Sequence, residues 1–402
     1  MKNIAIINNG DRGSTGNIAK NLHHSLQELG YNSFFCYGRG SEGNKADLYR
    51  IDSDYELKYH AFMTRVTGCQ GFYSKNATRR LLSQFDNWNI DTVFIVCIHG
   101  YYLNEKLIYK YIANRGIRLI HIMIDEYAFT GKCAYCEGCE KYLIGCGKCP
   151  HKSSYPASFF IDGSTRVYKM KKDAYADLHN ACFVGPQFVV EQARKSPLFT
   201  KIKTEILDEA IDMDVFTPKR VDDLKKTLGI TNDKIVIVSV IPYAGGENER
   251  KGGRYFIDLA RRFEADERFV FVHVGYKSKD IESLPSNFIP VGFINNLNLL
   301  AEYFSLGDLF VFPSLLDTMP NACLDALSCG TPLLCFNISG MPYIANDEVG
   351  TFVEPRSVNE MVRVVNSVHK KTPQIIKKCR EYALSRYNSK DYNNKLIKIA
   401  NN

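Results

Sequence analysis

The sequence predicts an α/β protein made of two doubly wound units in series, on three observations. Short apolar runs of strand length alternate with segments of helical period along most of the chain. Those runs are continuous rather than alternating, as parallel strands covered on both faces require. The pattern also restarts near residue 206, and 402 residues are more than one hydrophobic core ordinarily serves.

The elements follow in order. Lys2–Ile7 reads as a buried strand, followed by a Gly-rich loop from Asn8 to Asn17. Ile18–Leu29 has apolar residues at helical spacing and stops at Gly30, a residue suited to the left-handed position after a helix. Asn32–Tyr37, Thr92–Ile98, Arg118–Ile124, Ala181–Gly185 and Lys203–Leu207 are further strands of the first unit. The stretch from Cys133 to Ser164 breaks the rhythm. It is rich in Cys, Gly, Pro and Lys, has no period, and reads as an insertion at about 131–164. In the second unit, Lys234–Val240, Phe269–Val274, Phe288–Pro290, Leu309–Phe312 and Pro332–Phe336 are strands. Gly253–Phe263, Leu297–Ser305 and Ala322–Cys329 are helices between them, and Pro373–Asn402 is a polar helical tail. The expected domains are 1–205, carrying the insertion, and 206–385, with a tail at 386–402.

Composition narrows the function classes. A 45% hydrophobic and 24% charged chain is an ordinary globular one. The net charge of +7 is modest for the length. It fits an anionic small molecule or an acidic membrane surface and calls for no nucleic acid. The short basic clusters Lys169–Lys172 and Lys377–Arg380 read as solvated helix faces. No apolar run approaches the ~18 residues of a membrane span, and the N-terminus has no secretory pattern. A cytoplasmic protein is expected, with peripheral contact at the inner membrane face as an option. Of thirteen cysteines, eight are scattered among apolar residues and read as reduced core thiols.

The chemistry concentrates in Phe312–Pro332. A buried strand delivers a loop bearing Asp317, and a helix starts near Pro320 with Asp325 inside it. The first N–H groups of a helix lack internal partners and make an anion site. A helix terminus for phosphates, with two carboxylates to accept from hydroxyls, suits a diphosphate flanked by hydroxyl-bearing rings. Ahead of it, Arg250-Lys251-Gly252 supplies two cations able to neutralise a departing diphosphate.

The acid pair, with seven residues between, resembles that of retaining glycosyltransferases of the GT-B fold, family GT4. Cys329-Gly330-Thr331-Pro332 resembles the family's usual helix ending. The family pattern is Glu…Glu with Phe-Gly between; here both acids are Asp and Met319-Pro320-Asn321 fills the turn. The resemblance implies two Rossmann-like domains facing across a cleft and a nucleotide-sugar donor as substrate, with no catalytic metal. It places Asp317 on the transferred sugar, Asp325 on the ribose, and Met319 and the backbone N–H groups of Asn321 and Ala322 beside the phosphates. Lys251 matches the family lysine. The family's upstream Arg is absent where Gly245 and Gly246 stand, so Arg250 or Arg254 substitutes. Phe293 and Ile294, in Val291–Ile294, match the stretch that packs on the base, and Gly16 lies in the turn facing the diphosphate.

His99–Asn104 and Asp125–Gly131 resemble segments of a bacterial subgroup that builds surface polysaccharides. That subgroup has a His before the Asp; here it is Ile124. His99 or His121 is the substitute, and Asp125 is a candidate on the acceptor side. Front-side attack, with the donor phosphate taking the acceptor proton, needs positioning and charge stabilisation rather than a protein base.

Five cysteines fall at Cys133, Cys136, Cys139, Cys146 and Cys149. Four thiolates satisfy a structural zinc ion; an iron–sulfur cluster, disulfides and free thiols are the alternatives. The subgroup's recurrent positions match Cys133, Cys139, Cys146 and Cys149, leaving Cys136 spare.

The expectation is therefore a retaining hexosyltransferase that moves a sugar to a saccharide or lipid-linked acceptor in polysaccharide assembly. Ile124, Glu209 and Ala210 (His, Asn and Gly in the family) motivate an alternative: a weak or inactive nucleotide-sugar-binding protein. A metal-dependent Rossmann oxidoreductase is a third class, disfavoured because no Gly-x-Gly-x-x-Gly follows the first strand.

Overall fold

The computed structural model describes residues 2–40, 45–243, 249–277 and 284–402. The chain divides into two compact units, Met1–Leu207 with Asn393–Asn402, and Asp208–Tyr392.

The first unit has seven strands: β1 Asn3–Gly10, β2 Asn32–Arg39, β3 Leu48–Arg50, β4 Thr92–Ile95, β5 Arg118–Ile122, β6 Ala181–Gly185 and β7 Lys203–Ile206. They form one sheet in the order β3-β2-β1-β4-β5-β6-β7, every pair parallel. Its helices are α1 Gly13–Glu28, α2 Asp54–Thr67, α3 Lys75–Trp88, α4 Glu105–Arg115, α5 Ser164–Ala176 and α6 Gln187–Lys195. The second unit has the helix α7 Asp222–Thr227 and the strands β8 Ile235–Tyr243, β9 Phe269–Tyr276, β10 Phe288–Val291, β11 Leu309–Phe312, β12 Leu333–Phe336 and β13 Gly350–Val353. These are again all parallel, ordered β10-β9-β8-β11-β12-β13. Its other helices are α8 Gly253–Arg262, α9 Leu297–Leu306, α10 Asn321–Ser328, α11 Val358–Asn366 and α12 Pro373–Arg386; α13 Ser389–Asn401 ends the chain.

The continuous apolar runs are explained by two-faced burial. On β8, Val236 and Val238 enter one core while Ile235 and Ile237 enter another on the opposite face. Successive side chains of a strand point to opposite sides, so a strand coated twice cannot spare a polar position.

Several boundaries differ from the sequence reading. The segment read as a loop from Asn8 to Asn17 is largely ordered: β1 runs to Gly10 and α1 begins at Gly13. Local polar bonds sustain it. Asn8 Nδ2 donates to Gly10 O at 2.7 Å, and Thr15 Oγ1 donates to Asn9 Oδ1 at 3.2 Å. Apolar periodicity cannot register such contacts. Beyond Ile95 and Ile122 the predicted strands leave the ladder, which frees 96–99 and 123–125 to turn at the sheet's carboxyl edge. The polar tail also does not end as a free appendage. Asn393 Nδ2 donates to Ser25 Oγ at 2.8 Å, Arg118 to Ile399 O at 2.8 Å, and Lys2 to Asn401 Oδ1 at 2.9 Å. These bonds return the last ten residues to the first unit.

Among the described residues, no helix is long and apolar enough to cross a membrane.

Candidate active site

In open parallel sheets, ligands bind outside the carboxyl ends of the strands where strand order reverses. In the second unit that point lies between β8 and β11. The residues following these strands are those singled out by the sequence. Lys251 Nζ is hydrogen-bonded to Asp317 Oδ2, and the ammonium also lies 5.3 Å from the centroid of the Phe312 ring. Asp317 is buried, and Lys251 is partly exposed.

The pair is held by backbone contacts that only glycine permits. Gly252 has φ +72°, and a Cβ there would fall 1.8 Å from Pro313 O. A Cβ on Gly340 would fall 1.7 Å from Thr318 O, and Gly340 N donates to Asp317 O at 3.0 Å. Arg250 ties the two loops together. Its carbonyl accepts from Leu315 N at 2.8 Å and Ser314 Oγ at 2.9 Å, and its guanidinium donates to Leu316 O at 3.2 Å. Arg250 is thus a brace as well as a cation. Arg254 instead donates to Tyr255 Oη at 2.9 Å. Gly245 and Gly246 lie outside the described residues.

α10 starts at Asn321 with Pro320 at its N-cap and no side-chain cap. Asn321 Oδ1 is buried without a hydrogen-bond partner, a polar atom in place for a ligand donor. Ala322 beside it is half-buried. Met319 is buried in the core, where its Sδ accepts from Glu209 N at 3.3 Å, so it shapes the loop from beneath. Asp325 is buried on α10; desolvation, then the nearby Asp212 charge, raises its carboxyl well above the usual range. The shift favours the protonated carboxyl, which can donate as well as accept. Phe293 is 66% exposed, with the Lys277 ammonium 5.5 Å from its centroid, while Ile294 packs on the core.

The first unit has its own reversal point, between β1 and β4. Gly16 lies there, buried in α1; a Cβ would meet Asp11 C at 2.8 Å, so the glycine lets the helix close on the β1–α1 turn. After β4, His99 Nε2 lies 2.6 Å from Asp125 Oδ2, and His99 Nδ1 lies 3.0 Å from Tyr155 Oη. Asp125 Oδ1 accepts from Tyr127 N at 3.0 Å. Burial lowers the His99 pKa, but electrostatic interaction with Cys97, Asp125 and Tyr155 and the Asp125 hydrogen bond prevail and raise it well above the usual histidine value. His121 is different. It stacks near Phe183, meets Tyr109 Oη at 3.2 Å, and burial depresses it to about 3. It is a buried residue that lines the same small cavity as His99 and Asp125, while His99 makes the contact with Asp125.

Sequence reasoning missed the support beneath this pair. Tyr127, whose ring centroid lies 5.1 Å from that of His99, donates to the buried Glu105. The buried Lys171 donates to Tyr127 O and to Thr130 O. Tyr101 is held at φ +70° beside Gly100, backbone strain of the kind found at functional sites. Tyr127 lies in the Asp125–Gly131 segment already noted, but Glu105 carries no pattern signal, and Lys171, read with Lys169–Lys172 as a solvated face, is instead fully buried.

The four-thiolate site expected of Cys133, Cys139, Cys146 and Cys149 finds no support in this structure. Among the described residues, no group of three or more His, Cys, Asp or Glu is placed to hold a metal ion. The thiols nonetheless lie near one another: Cys133 and Cys149 share a hydrogen bond that lowers the Cys149 pKa, Cys146 interacts with Cys139 and Cys149, and Cys146 Sγ accepts from Gly131 N at 3.1 Å. Lysines organise the insertion instead. The buried Lys132 ammonium donates to the carbonyls of His151 (3.3 Å), Lys152 (2.8 Å) and Ser154 (2.8 Å), filling all three of its positions.

Comparison with known proteins agrees with this geometry. The family model "Glycosyl transferases group 1" matches residues 238–371, which span β8, Lys251, Asp317 and α10. The putative colanic acid biosynthesis glycosyl transferase WcaC of Escherichia coli K12 is 25% identical over 371 residues, covering 88% of this chain and 87% of its own. This chain is a GT-B-fold glycosyltransferase related to family GT4. Solved structures carry the fold over the whole length. Sucrose-phosphate synthase from Thermosynechococcus elongatus aligns with a TM-score of 0.66 at 13% identity, over 100% of the glycosyltransferase and 98% of that chain. Anabaena HepE, solved with UDP and glucose, aligns with a TM-score of 0.63 at 11% identity over 99% of both.

Proposed function

We propose that the second unit binds a nucleotide-sugar donor and that the enzyme transfers a hexosyl group with retention to a saccharide or lipid-linked acceptor during polysaccharide assembly. The observation that carries this reading is the Lys251–Asp317 pair at the β8/β11 reversal point, beside the uncapped start of α10. A bound diphosphate would draw Lys251 away from Asp317. That motion places a cation on the leaving group and frees the carboxylate for the sugar's hydroxyls. The N–H groups of Asn321 and Ala322 would receive phosphate oxygens, the Asp325 carboxyl would meet the ribose, and the exposed Phe293 would cover the base. HepE, crystallised with UDP and glucose, is a fold neighbour in keeping with such a donor.

In the first unit, His99 and Asp125 would orient the acceptor hydroxyl. The raised His99 pKa favours this histidine as a hydrogen-bond donor over a general base. That fits a front-side transfer in which the donor phosphate takes the proton. Peripheral contact with the inner membrane face would bring a lipid-linked acceptor within reach.

The test is thermal stabilisation and slow hydrolysis across a panel of nucleotide sugars, with the anomeric configuration of the product read by NMR. No stabilisation by any donor or nucleoside diphosphate would overturn the reading. An inverted product would overturn retention alone. Stabilisation without turnover in the presence of acceptor extracts would favour a binding protein.

A further inference from the structure

The first unit has a surface cavity of about 470 Å³ between α2, the turn before α3 and the start of α5. Nothing in the donor reading uses it. Its walls are of two kinds. Tyr59, Phe72 and Tyr73 supply aromatic surface, and Lys75, Arg79 and Arg166 supply three cations. The single carboxylate on the rim is Glu56, which is already committed: both of its oxygens accept from Arg80, at 2.8 and 3.0 Å, and Ser53 N donates to it at 3.2 Å. Among the described residues, none of the three lining cations is ion-paired. Arg79 donates to Asn76 Oδ1 at 3.1 Å, and Arg166 lies 5.4 Å from the Phe72 centroid. Three unneutralised cations around an aromatic-walled hollow favour an anionic ligand with a ring-bearing or apolar body.

The floor of the cavity is rigid. Ser74, at φ +53°, has its hydroxyl turned inward. It donates to the buried Asp52 at 2.8 Å and meets His60 Nδ1 at 2.9 Å, while His60 Nε2 accepts from Gly71 N at 3.4 Å. Burial depresses His60 to about 3 and raises Asp52 to about 8, so His60 stays neutral at the centre of this chain of bonds near neutrality.

A ladder of rings joins this cavity to the His99–Asp125 pair. Centroid separations are 5.4 Å for His99–Tyr155, 6.0 Å for Tyr155–Tyr101, 6.0 Å for Tyr101–His60, 5.5 Å for His60–Tyr73 and 6.2 Å for Tyr73–Tyr59. These rings meet edge-on, and His60 and Tyr101 are buried, so the ladder ties the cavity floor to the His99 side of the unit through the interior.

We propose that this cavity binds the phosphoryl group of a phosphorylated acceptor. The phosphate belongs with Lys75, Arg79 and Arg166, and the body attached to it packs on Tyr59, Phe72 and Tyr73. The inference depends on the glycosyltransferase reading only in calling the ligand an acceptor; the cavity's chemistry stands without it.

The test is calorimetric titration of the full chain with two probes, glucose 1-phosphate and farnesyl phosphate, on wild type and on Lys75→Glu/Arg79→Glu. Both substituted side chains are exposed, so the fold should persist, which circular dichroism checks. UDP binding is measured in parallel. The expected result is binding of at least one probe, weakened about tenfold or more in the variant and by added salt, with UDP affinity unchanged. Glucose 1-phosphate as the ligand identifies a soluble sugar phosphate; farnesyl phosphate identifies a lipid-carried one. Binding of neither probe, or equal binding to the variant, would overturn the inference. Loss of UDP binding in wild type would instead count against the donor reading, so the two failures are separable.

Discussion

His99 Nε2 lies 2.6 Å from Asp125 Oδ2, with both side chains almost wholly buried at the carboxyl edge of the first sheet. Neither residue is near the other in sequence; two adjacent parallel strands deliver them. The pairing makes His99 a charge-bearing group.

The raised His99 pKa has a definite sign for stability. A histidine whose folded pKa exceeds its unfolded value stabilises fully below about pH 6.5, and loses that contribution as pH rises through the folded value. The Tm advantage of wild type over His99→Gln is therefore expected to shrink on going from pH 6 to alkaline pH. NMR of the imidazole should show a ring still protonated at pH 7.5. Turnover in the variant should fall by about 10²-fold.

Lys251→Ala and Asp317→Asn are expected to reduce kcat by about 10²–10³-fold if the pair acts on the leaving group and the sugar. UDP binding, by calorimetry, should weaken in Lys251→Ala and change little in Asp317→Asn. Equal loss of UDP affinity in both would place Asp317 on the nucleotide instead.

Asp325 offers a test in which stability and binding move in opposite directions. Its folded pKa is raised by burial and by Asp212. Ionisation in the unfolded chain therefore favours unfolding as pH climbs above the unfolded carboxyl value of about 4, and the cost persists at neutral pH. Asp325→Asn should raise Tm at pH 7 while lowering UDP affinity. A variant that keeps full UDP affinity would remove Asp325 from the donor site.

Lys132→Met removes the ammonium that gathers three carbonyls of the insertion. Each buried carbonyl left unsatisfied costs about 1–3 kcal/mol, less what water recovers. Limited proteolysis should show earlier cleavage between 133 and 163, with the rest of the first unit intact.

Much of the fold was legible because two-faced burial forces a strong signal. Val236–Val238 and Phe310–Phe312 can be read as strands since no polar residue fits there. Phe312–Pro332 was legible as a site because a strand, an acid and a helix start follow one another locally. Other features were not. His121 and His99 are equally plausible by sequence, and only burial against Phe183 tells them apart. The cysteine spacing pointed to a metal, yet the insertion is organised through Lys132, whose partners sit some twenty residues away.

By itself the sequence determined the two parallel α/β units, and it singled out Lys251, Asp317 and Asp325 as candidates and 131–164 as a break in the pattern. All of these are properties of residues close in the chain or of burial imposed on a whole strand. Tertiary structure alone decided that Asp317 pairs with Lys251, that His99 pairs with Asp125, and that three lysine and arginine side chains surround an aromatic cavity with no carboxylate to spare. Contacts between residues tens of positions apart depend on strand order. Strand order follows from how each sheet buries both faces, a sum over the entire unit that no local pattern records.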